Sequence, residues 1–427
     1  MRVKAIWNKL FLQERPSIGL SFFRPFAAFT VGAHVLPTLF HLKDNYLSTA
    51  FKEKNPSFFT MDFLIWIDKS PDGLVLAMAW LFAVSLLFFF LGLFSQIACI
   101  VMTACCYYFY ALNSLHIGTL SYDILLVVLF LMCVTGYHGD SLSLDAVRRG
   151  DARAFRKVRP YFLQRLLQMQ IAFTYFYTAV YKISAGGNWL TGNPLYFLYA
   201  SSPESVVKNF PGRAFLAAHP QACYWLGIFI ICSELLMPFL LFIQRTRLIG
   251  ILYGFLFHLA LVITLHVPTI FLFLFPPQLL LFIEPEKIAG WIEKKREENK
   301  TREKDKIIYD GQCGFCAGSI RQLKAMDLFA QLEYVDYHTA DLQSIDARLT
   351  PGLCHNELQL ATTDKKLLGG YFAFRRLTLL LPFLYILAPL LYFPGMSFIG
   401  RWAYALIARN RYLFHRSKTC KDNACFR

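Results

Sequence analysis

The chain has 427 residues, of which 56% are hydrophobic and only 17% are charged. A mean hydropathy of +0.42 excludes an ordinary soluble domain. The net charge is +15, but the basic residues lie in short blocks between apolar runs, which favours the positive-inside rule over a nucleic-acid surface. The first residues, MRVK, precede no short apolar region with a small-residue cleavage site, so we predict no removable signal peptide.

Eight apolar segments predict eight transmembrane helices. Each is close to the roughly 20 residues that a helix needs to cross the hydrocarbon layer. Taken along the chain, they lie near residues 19–40, 73–94, 96–112, 118–136, 163–183, 223–243, 248–266 and 268–284.

The basic residues predict which way these helices run. With a cytoplasmic N-terminus and an even number of spans, the most basic loops all fall on the cytoplasmic side. The opposite loops, 42–71 and 186–222, are balanced or nearly uncharged. We therefore predict a protein of the inner or plasma membrane, surrounded by lipid, with its N-terminus and C-terminal domain in the cytoplasm. The residues that carry this prediction are Arg148, Arg149, Arg153, Arg156, Lys157, Arg159, Arg245, Arg247, Lys287, Lys294, Lys295 and Arg296.

The composition changes after the last apolar segment. Residues 1–290 are predicted to form the transmembrane domain, 291–306 a charged and solvated helical linker, and 307–427 a small α/β domain. Its predicted elements are strands at 307–309, 332–337 and 357–361, a helix at 313–326, and a hairpin partner at 365–368. The apolar stretch 377–394 contains three prolines, which favours a helix on the domain or at the membrane surface over a ninth span.

Cys313 and Cys316 form a C-x-x-C motif directly after a hydrophobic strand. At a helix N-terminus, unpaired N–H groups and the helix dipole stabilise a thiolate, so this spacing predicts a redox dithiol. A zinc site is the alternative, with the second pair of ligands from Cys420 and Cys425 or from residues 354–355. Six further cysteines lie in or near apolar segments, where a free thiol is usually a small core residue.

The C-terminal domain resembles the DCC family of thiol-disulfide oxidoreductases. The resemblance implies a thioredoxin-like fold with Asp310, Cys313 and Cys316 as catalytic residues. Cys420 and Cys425 are candidates for a redox relay beside Cys313 if 377–394 does not cross the membrane, and for an oxidised pair on the outer side if it does. Asp310 has two possible roles, since it can shape the Asp-Gly turn or accept a proton during thiol exchange. The family motifs are residues 309–316 (YDGQCGFC), 369–373 (GGYFA) and 399–412 (IGRWAYALIARNRY).

Several polar residues lie in or beside the predicted spans, where they are candidates for function. Lys182 is near the end of the fifth span, Glu234 lies within the sixth, and His258 within the seventh. His116 follows the third span. The alternatives are a lysine that reaches the membrane surface and a histidine that joins two helices by a hydrogen bond.

The transmembrane region resembles the vitamin K-dependent γ-carboxylase-like family, known in bacteria as the HTTM domain, most clearly at residues 179–192 (AVYKISAGGNWLTG). The resemblance implies that Lys182 is a base towards a quinol-like molecule and that His258 belongs to the same site. It makes His116, Tyr181, Glu234 and Trp189 candidates for substrate binding. The carboxylase has a lysine where this chain has Tyr181, and its glutamate-recruiting lumenal region is missing here.

The combined fold prediction is a multipass α-helical membrane bundle of about eight spans with a small C-terminal α/β thioredoxin-like domain. The predicted function is a membrane-bound thiol-disulfide oxidoreductase that acts on a thiol or disulfide and is coupled to a quinone or vitamin K-like hydroquinone in the bundle. One alternative is lysine-base chemistry in the bundle with a regulatory dithiol, and another is a non-catalytic scaffold or transporter. On the predicted topology, Lys182 and Cys313 lie on opposite faces of the membrane, and a mobile quinone would link them.

Overall fold

The computed structural model describes residues 7–52, 67, 69–114, 120–184, 188–207, 210–267 and 270–411, and these are mostly helical. The α-helices are α1 (Ile18–Phe40), α2 (Leu42–Asn45), α3 (Asp72–Leu91), α4 (Ser95–Leu112), α5 (Leu120–Cys133), α6 (Leu144–Arg149), α7 (Phe162–Ser184), α8 (Asn193–Ser201), α9 (Arg213–Ala218), α10 (Pro220–Phe242), α11 (Arg247–Thr264), α12 (Ile270–Phe273), α13 (Phe275–Leu279), α14 (Pro285–Lys300), α15 (Gly314–Met326), α16 (Leu342–Ile345), α17 (Pro351–Asn356), α18 (Gly370–Leu377), α19 (Ala388–Leu391) and α20 (Met396–Arg409).

The strands are few and short. They are β1 (Glu14–Pro16), β2 (Val158–Pro160), β3 (Asp305–Tyr309), β4 (Leu332–Asp336), β5 (Gln359–Ala361) and β6 (Leu367–Gly369). Shorter 3₁₀ turns lie at Tyr137–Gly139, Ala154–Arg156, Asn188–Thr191, Pro203–Ser205, Leu280–Phe282 and Pro382–Leu387, and a π-helical turn lies at Asn8–Leu12.

The chain divides into two compact units. The first contains the chain up to Ser143 and from Lys157 to Lys287, and the second contains Leu144–Arg156 and the chain from Ile288 onward. The short segment 144–156 therefore leaves the first unit to join the second, although it lies between two bundle helices in the sequence.

The first unit is a helical bundle around an apolar core. Helix α1 buries Phe23, Ala27, Val31 and Val35, which recur every four residues and so lie along one face. Helices α3 and α4 form a hairpin whose turn contains Gly92 at φ +69, a left-handed conformation that favours glycine. A two-stranded antiparallel sheet joins β1 to β2.

The prediction of a multipass bundle is confirmed, while the number of spans stays approximate. Among the described residues, α1, α3, α4, α10 and α11 are long and apolar enough to cross a membrane. Helix α5, in the fourth predicted span, has 14 residues within the described part of the chain, which resumes at Leu120. Helix α7, in the fifth, has 23 residues, but it contains several glutamines as well as Arg165 and Lys182.

The eighth predicted span is broken into α12, α13 and a 3₁₀ turn. Pro276 and Pro277 lie inside this segment and cannot donate the backbone N–H that a continuous helix requires. The stretch 377–394 is broken too, because α18 and the helical segment Pro382–Leu391 are bent by 113°. Leu377, Leu381 and Leu384 are buried in the core of the second unit, so this stretch is packed on the domain.

The second unit is built on a four-stranded sheet of order β4-β3-β5-β6. Strands β3 and β4 are parallel and are connected through α15, whereas β5 and β6 are antiparallel to their neighbours. This arrangement of a βαβ unit followed by a β-hairpin and helix α18 is the predicted thioredoxin-like topology. Its core contains Ile307, Ile320, Leu332, Leu360 and Ala373.

Helix α14 and the segment 144–156 complete this unit. Arg156 pairs with Glu293 of α14 at 3.0 Å. Arg296 of α14 donates to the carbonyl oxygens of Asp327 and Leu328, at 3.1 and 3.0 Å. The predicted linker is therefore helical through Lys300, and part of it contacts the domain instead of being surrounded by water.

Candidate functional site

The dithiol lies where β3 ends and α15 begins. Cys313 is the N-cap of α15, and its sulfur accepts a hydrogen bond from the backbone N–H of Cys316 at 3.3 Å. The Cys316 thiol donates to the same sulfur, with 2.8 Å between the two sulfur atoms. Both donors stabilise negative charge on Cys313, as expected for a thiolate at a helix N-terminus.

The pKa values of the two thiols are shifted in opposite directions. The hydrogen bond from the Cys316 thiol, with smaller contributions from the Cys316 N–H and Arg411, lowers the pKa of Cys313 to about 6. The same thiol hydrogen bond, together with burial, raises the pKa of Cys316 far above its ordinary value. Near neutral pH, the pair therefore consists of a Cys313 thiolate beside a protonated Cys316.

Asp310 is buried at the base of the dithiol turn. Its Oδ1 atom accepts from the backbone N–H groups of Gln312 and Cys313, at 3.1 and 3.2 Å. This geometry is that of an Asx turn, so the turn-forming role is seen directly. His338 Nε2 lies 3.0 Å from the same oxygen.

Three groups around Asp310 were not connected to it by sequence reasoning. Besides His338, His355 Nδ1 and Arg411 Nη2 each lie 3.8 Å from Asp310 Oδ2. The two histidines follow β4 and end α17, and no sequence pattern joins them to Asp310. Arg411 had a signal, because it lies in the closing motif 399–412.

Two glycines of the family motifs are required by close contacts. A Cβ atom on Gly311 would clash with the carboxylate of Asp336, which accepts the Gly311 N–H at 3.1 Å. Gly370 has φ +54, and a Cβ there would meet the carboxylate of Glu357. A larger residue at either position would have to displace one of these carboxylates, and at Gly370 it would also strain the left-handed backbone.

A second candidate site lies in the bundle, where α7 and α10 meet. Lys182 Nζ lies 2.6 Å from both carboxylate oxygens of Glu234. The side chain of Glu234 is buried, and that of Lys182 is nearly so. The Lys182 ammonium also lies over the ring of Trp189, 5.3 Å from its centre. The structure thus brings three of the predicted residues together.

His258 of α11 forms a neighbouring contact. Its Nε2 atom lies 2.7 Å from the hydroxyl of Tyr175. Within the described part of the chain, its Nδ1 atom is buried without a hydrogen-bond partner. Tyr175 and Lys182 are two helical turns apart on α7, or about 10 Å. The Lys182 and His258 contacts are therefore adjacent along α7 but separate.

The remaining predicted residues are not part of these contacts. Tyr181 is exposed and stacks on Tyr177, with 6.4 Å between the ring centres. His116, Cys420 and Cys425 lie outside the described residues. Among the residues that are described, no group of three His, Cys, Asp or Glu side chains is arranged to hold a metal ion.

These features define a membrane protein with a thioredoxin-like dithiol domain at its C-terminal end. An HTTM domain model matches residues 16–286, and a DCC1-like thiol-disulfide oxidoreductase model matches residues 307–417. The chain belongs to the HTTM family and carries a DCC1-like domain, so both predicted resemblances are confirmed. No curated protein and no solved structure matches the chain significantly.

Proposed function

We propose that the chain is a membrane-bound thiol-disulfide oxidoreductase that acts through Cys313 and Cys316. The observation that carries the proposal is the Cys313 sulfur, which has a pKa of about 6 and accepts two hydrogen bonds from Cys316. The thiolate is the reactive form in disulfide exchange, and the second thiol must be close enough to displace it.

The exchange follows from the roles of the two sulfurs. Cys313 attacks one sulfur of a substrate disulfide, an S–S bond to the substrate forms, and the other substrate sulfur leaves as a thiolate. Cys316 then loses its proton and attacks Cys313, which releases the second substrate thiol. The dithiol ends as a disulfide, and the two electrons reside on the reduced substrate.

The Cys313→Ser variant tests this proposal. We expect the rate of exchange with a small soluble disulfide to fall at least about a hundredfold, because the nucleophile is lost. The matched control is Cys223→Ser, which removes a buried thiol of the first unit and should retain the wild-type rate. Wild-type exchange by Cys313→Ser would exclude the dithiol as the reacting group.

The location and domain limits are part of the proposal. The segment 144–156 and the dithiol domain share one compact unit, which supports placing them on the same side of the membrane. This segment contains Arg148, Arg149, Arg153 and Arg156, which favours the cytoplasmic side of an inner or plasma membrane. We place the domains at 1–290 and 307–427, with 291–306 as the link.

For the bundle, we propose that a lipophilic quinol-like molecule binds near Lys182 and His258. The buried ion pair of Lys182 with Glu234 supports this, since ionisable groups inside a membrane are costly and are usually kept for function. Glu234 also suits a second candidate function, which is lysine-base chemistry with a regulatory dithiol. A lysine acts as a base only as the neutral amine, and the Glu234 carboxylate can accept the proton that the Lys182 ammonium must lose.

Product analysis on a Lys182→Ala variant distinguishes the two functions. If the bundle performs lysine-base chemistry, the variant loses the oxidised product of a supplied hydroquinone, while the dithiol still reacts with a soluble disulfide. If the dithiol is the only reactive centre, both readouts stay at the wild-type level for the same amount of folded protein.

A further inference from the structure

A cavity of about 360 Å³ lies beside the dithiol in the second unit. Cys316 is part of its wall, together with Asp310 and Arg411, whereas Cys313 is not. Most of the wall is apolar, which is typical of a pocket for a small molecule in which a few polar groups fix the orientation. Its apolar lining includes Phe315, Leu323, Met326, Leu358, Phe374 and Ile407.

The backbone N–H and carbonyl groups beside the dithiol already have hydrogen-bond partners. The Leu358 N–H donates to the Tyr404 hydroxyl at 3.2 Å, and the Leu358 carbonyl accepts from the Gly370 N–H at 2.9 Å. Backbone groups that are already paired cannot pair with an extended protein substrate at this position. Cys313 itself is only 3% exposed. Both observations favour a small molecule that enters the cavity and reaches Cys316.

The cavity adjoins an exposed apolar face formed by the segment 385–407. Phe398 is 75% exposed and Trp402 is 66% exposed, and Ile386 and Phe393 are also largely exposed. Ile407 belongs to both this face and the cavity wall. An apolar patch with Trp and nearby Arg401 and Arg409 fits the interface of a membrane, to which the chain is already anchored.

We propose that this cavity takes the head group of a lipophilic quinone that arrives from the membrane and oxidises the dithiol. This inference rests on the proposed function, and it places a quinone at the dithiol itself. The Cys313 thiolate and the Cys316 thiol together lose two electrons and one proton as the Cys316 S–H bond breaks and one S–S bond forms. Both electrons and this proton pass to the quinone, which takes its second proton from water and leaves as the quinol.

The first test blocks the cavity in the full-length protein reconstituted in lipid. Ala408 lines the cavity, whereas Ala405 lies one turn earlier on the same helix and does not. We compare the rate of dithiol oxidation by decylubiquinone with the rate by a soluble disulfide. We expect Ala408→Phe to lower this ratio about tenfold or more, because blocking a pocket costs the bound group its contacts. Ala405→Phe is the matched control and should keep the wild-type ratio.

The second readout is binding, which does not depend on turnover. An azido-quinone is activated by light in the presence of the protein, and the label is located by mass spectrometry. We expect labelled peptides within residues 314–326 or 396–411, with less label when decylubiquinone competes or when Ala408 is Phe. Label confined to the bundle helices would overturn the inference.

The outcomes separate this inference from the proposed function. If a soluble disulfide oxidises the wild-type dithiol and decylubiquinone does not, the quinone site is excluded and the oxidoreductase assignment stands. If neither oxidises it, the oxidoreductase assignment itself fails. An equal loss of the ratio in Ala405→Phe and Ala408→Phe would exclude the cavity as the entry point.

Discussion

The reactivity of Cys313 depends on one neighbouring thiol. The strongest influence on its pKa is the hydrogen bond from Cys316, 2.8 Å away, and the helix N-terminus adds a weaker one. Cys316 therefore has two roles, since it stabilises the Cys313 thiolate before exchange and displaces Cys313 afterwards.

Replacing Cys316 with alanine should raise the pKa of Cys313. In the wild type, the thiolate fraction rises as the pH increases through about 6, and alkylation by iodoacetamide should follow it. In Cys316→Ala, we expect the midpoint to move upward by about one pH unit or more, because the donor is lost. Cys223→Ala should leave the midpoint in place. An unchanged midpoint in Cys316→Ala would mean that the helix N-terminus and Arg411 lower the pKa of Cys313 without help from the Cys316 thiol.

Asp310 can be tested for its two possible roles with two substitutions. Asp310→Ala leaves the Gln312 and Cys313 N–H groups without their acceptor, so we expect a loss of about 1–3 kcal/mol in unfolding free energy. Asp310→Asn keeps an acceptor oxygen but removes the negative charge. In the wild type, this charge raises the pKa of Cys313.

In Asp310→Asn, we therefore expect the pKa of Cys313 to fall slightly and the stability to be nearly retained. Thiol titration and chemical denaturation measure the two effects. If this variant instead keeps its stability and its Cys313 thiolate but loses exchange activity, Asp310 is a proton acceptor as well as a turn former.

The sequence predicted the dithiol residues but not their surroundings. Asp310, Cys313 and Cys316 are close in the chain, so strand–turn–helix reasoning brings them together. His338, His355 and Arg411 reach Asp310 from three separate elements. Only the packing of β4, α17 and the end of α20 places them there, and hydrophobic periodicity does not contain that information.

At the scale of helices, the broken eighth segment explains the unusual composition of α7. The Leu281 carbonyl accepts hydrogen bonds from Gln164 at 2.6 Å and from Gln168 at 2.7 Å. A carbonyl released from a helix inside a membrane must find another donor. Helix α7 is thus less apolar than a lipid-facing span because its glutamines support its neighbour. Apolar segment length alone predicts neither feature.

The ion pair between Lys182 of α7 and Glu234 of α10 should stabilise the bundle only as long as both charges are present. Lys182→Ala leaves the buried Glu234 carboxylate without its ammonium, so we expect a loss of about 3–5 kcal/mol in stability. The double variant Lys182→Ala, Glu234→Ala should recover much of this loss, because no charge is then left unpaired. Thermal unfolding in detergent measures both. A double variant that is less stable than Lys182→Ala would contradict a charge-pairing role.

At the scale of the whole molecule, the segment 144–156 limits how the chain can cross the membrane. It lies between two bundle helices in the sequence, but it belongs to the same compact unit as the dithiol. An odd number of spans between this segment and α14 would place the two on opposite sides of the membrane, where they could not form one unit. We therefore expect an even number of crossings from α7 to α13, whichever of the broken segments span.

The orientation can be measured with introduced cysteines. Lys43→Cys lies in the predicted outer loop, and Lys366→Cys lies on the dithiol unit, where the Lys366 side chain is exposed. In intact cells, we expect a membrane-impermeant maleimide to label Lys43→Cys above the level of the parent chain. Lys366→Cys should be labelled only after permeabilisation. The reverse pattern would show that the protein has the opposite orientation. Labelling of both sites in intact cells would exclude an odd number of spans between them.

The segment 144–156 also sets an order of events during synthesis. Domains generally fold as they emerge, N-terminal parts first. Here the early segment must wait until α14 and α15 have been made, because Arg156 pairs with Glu293 and Gly150 packs on Arg321. All the bundle helices between them must insert with the correct orientation before the dithiol unit can close. A completely folded dithiol unit therefore indicates that the bundle helices have inserted correctly. The isolated fragment 307–427 would lack the contacts that segment 144–156 and α14 make with it.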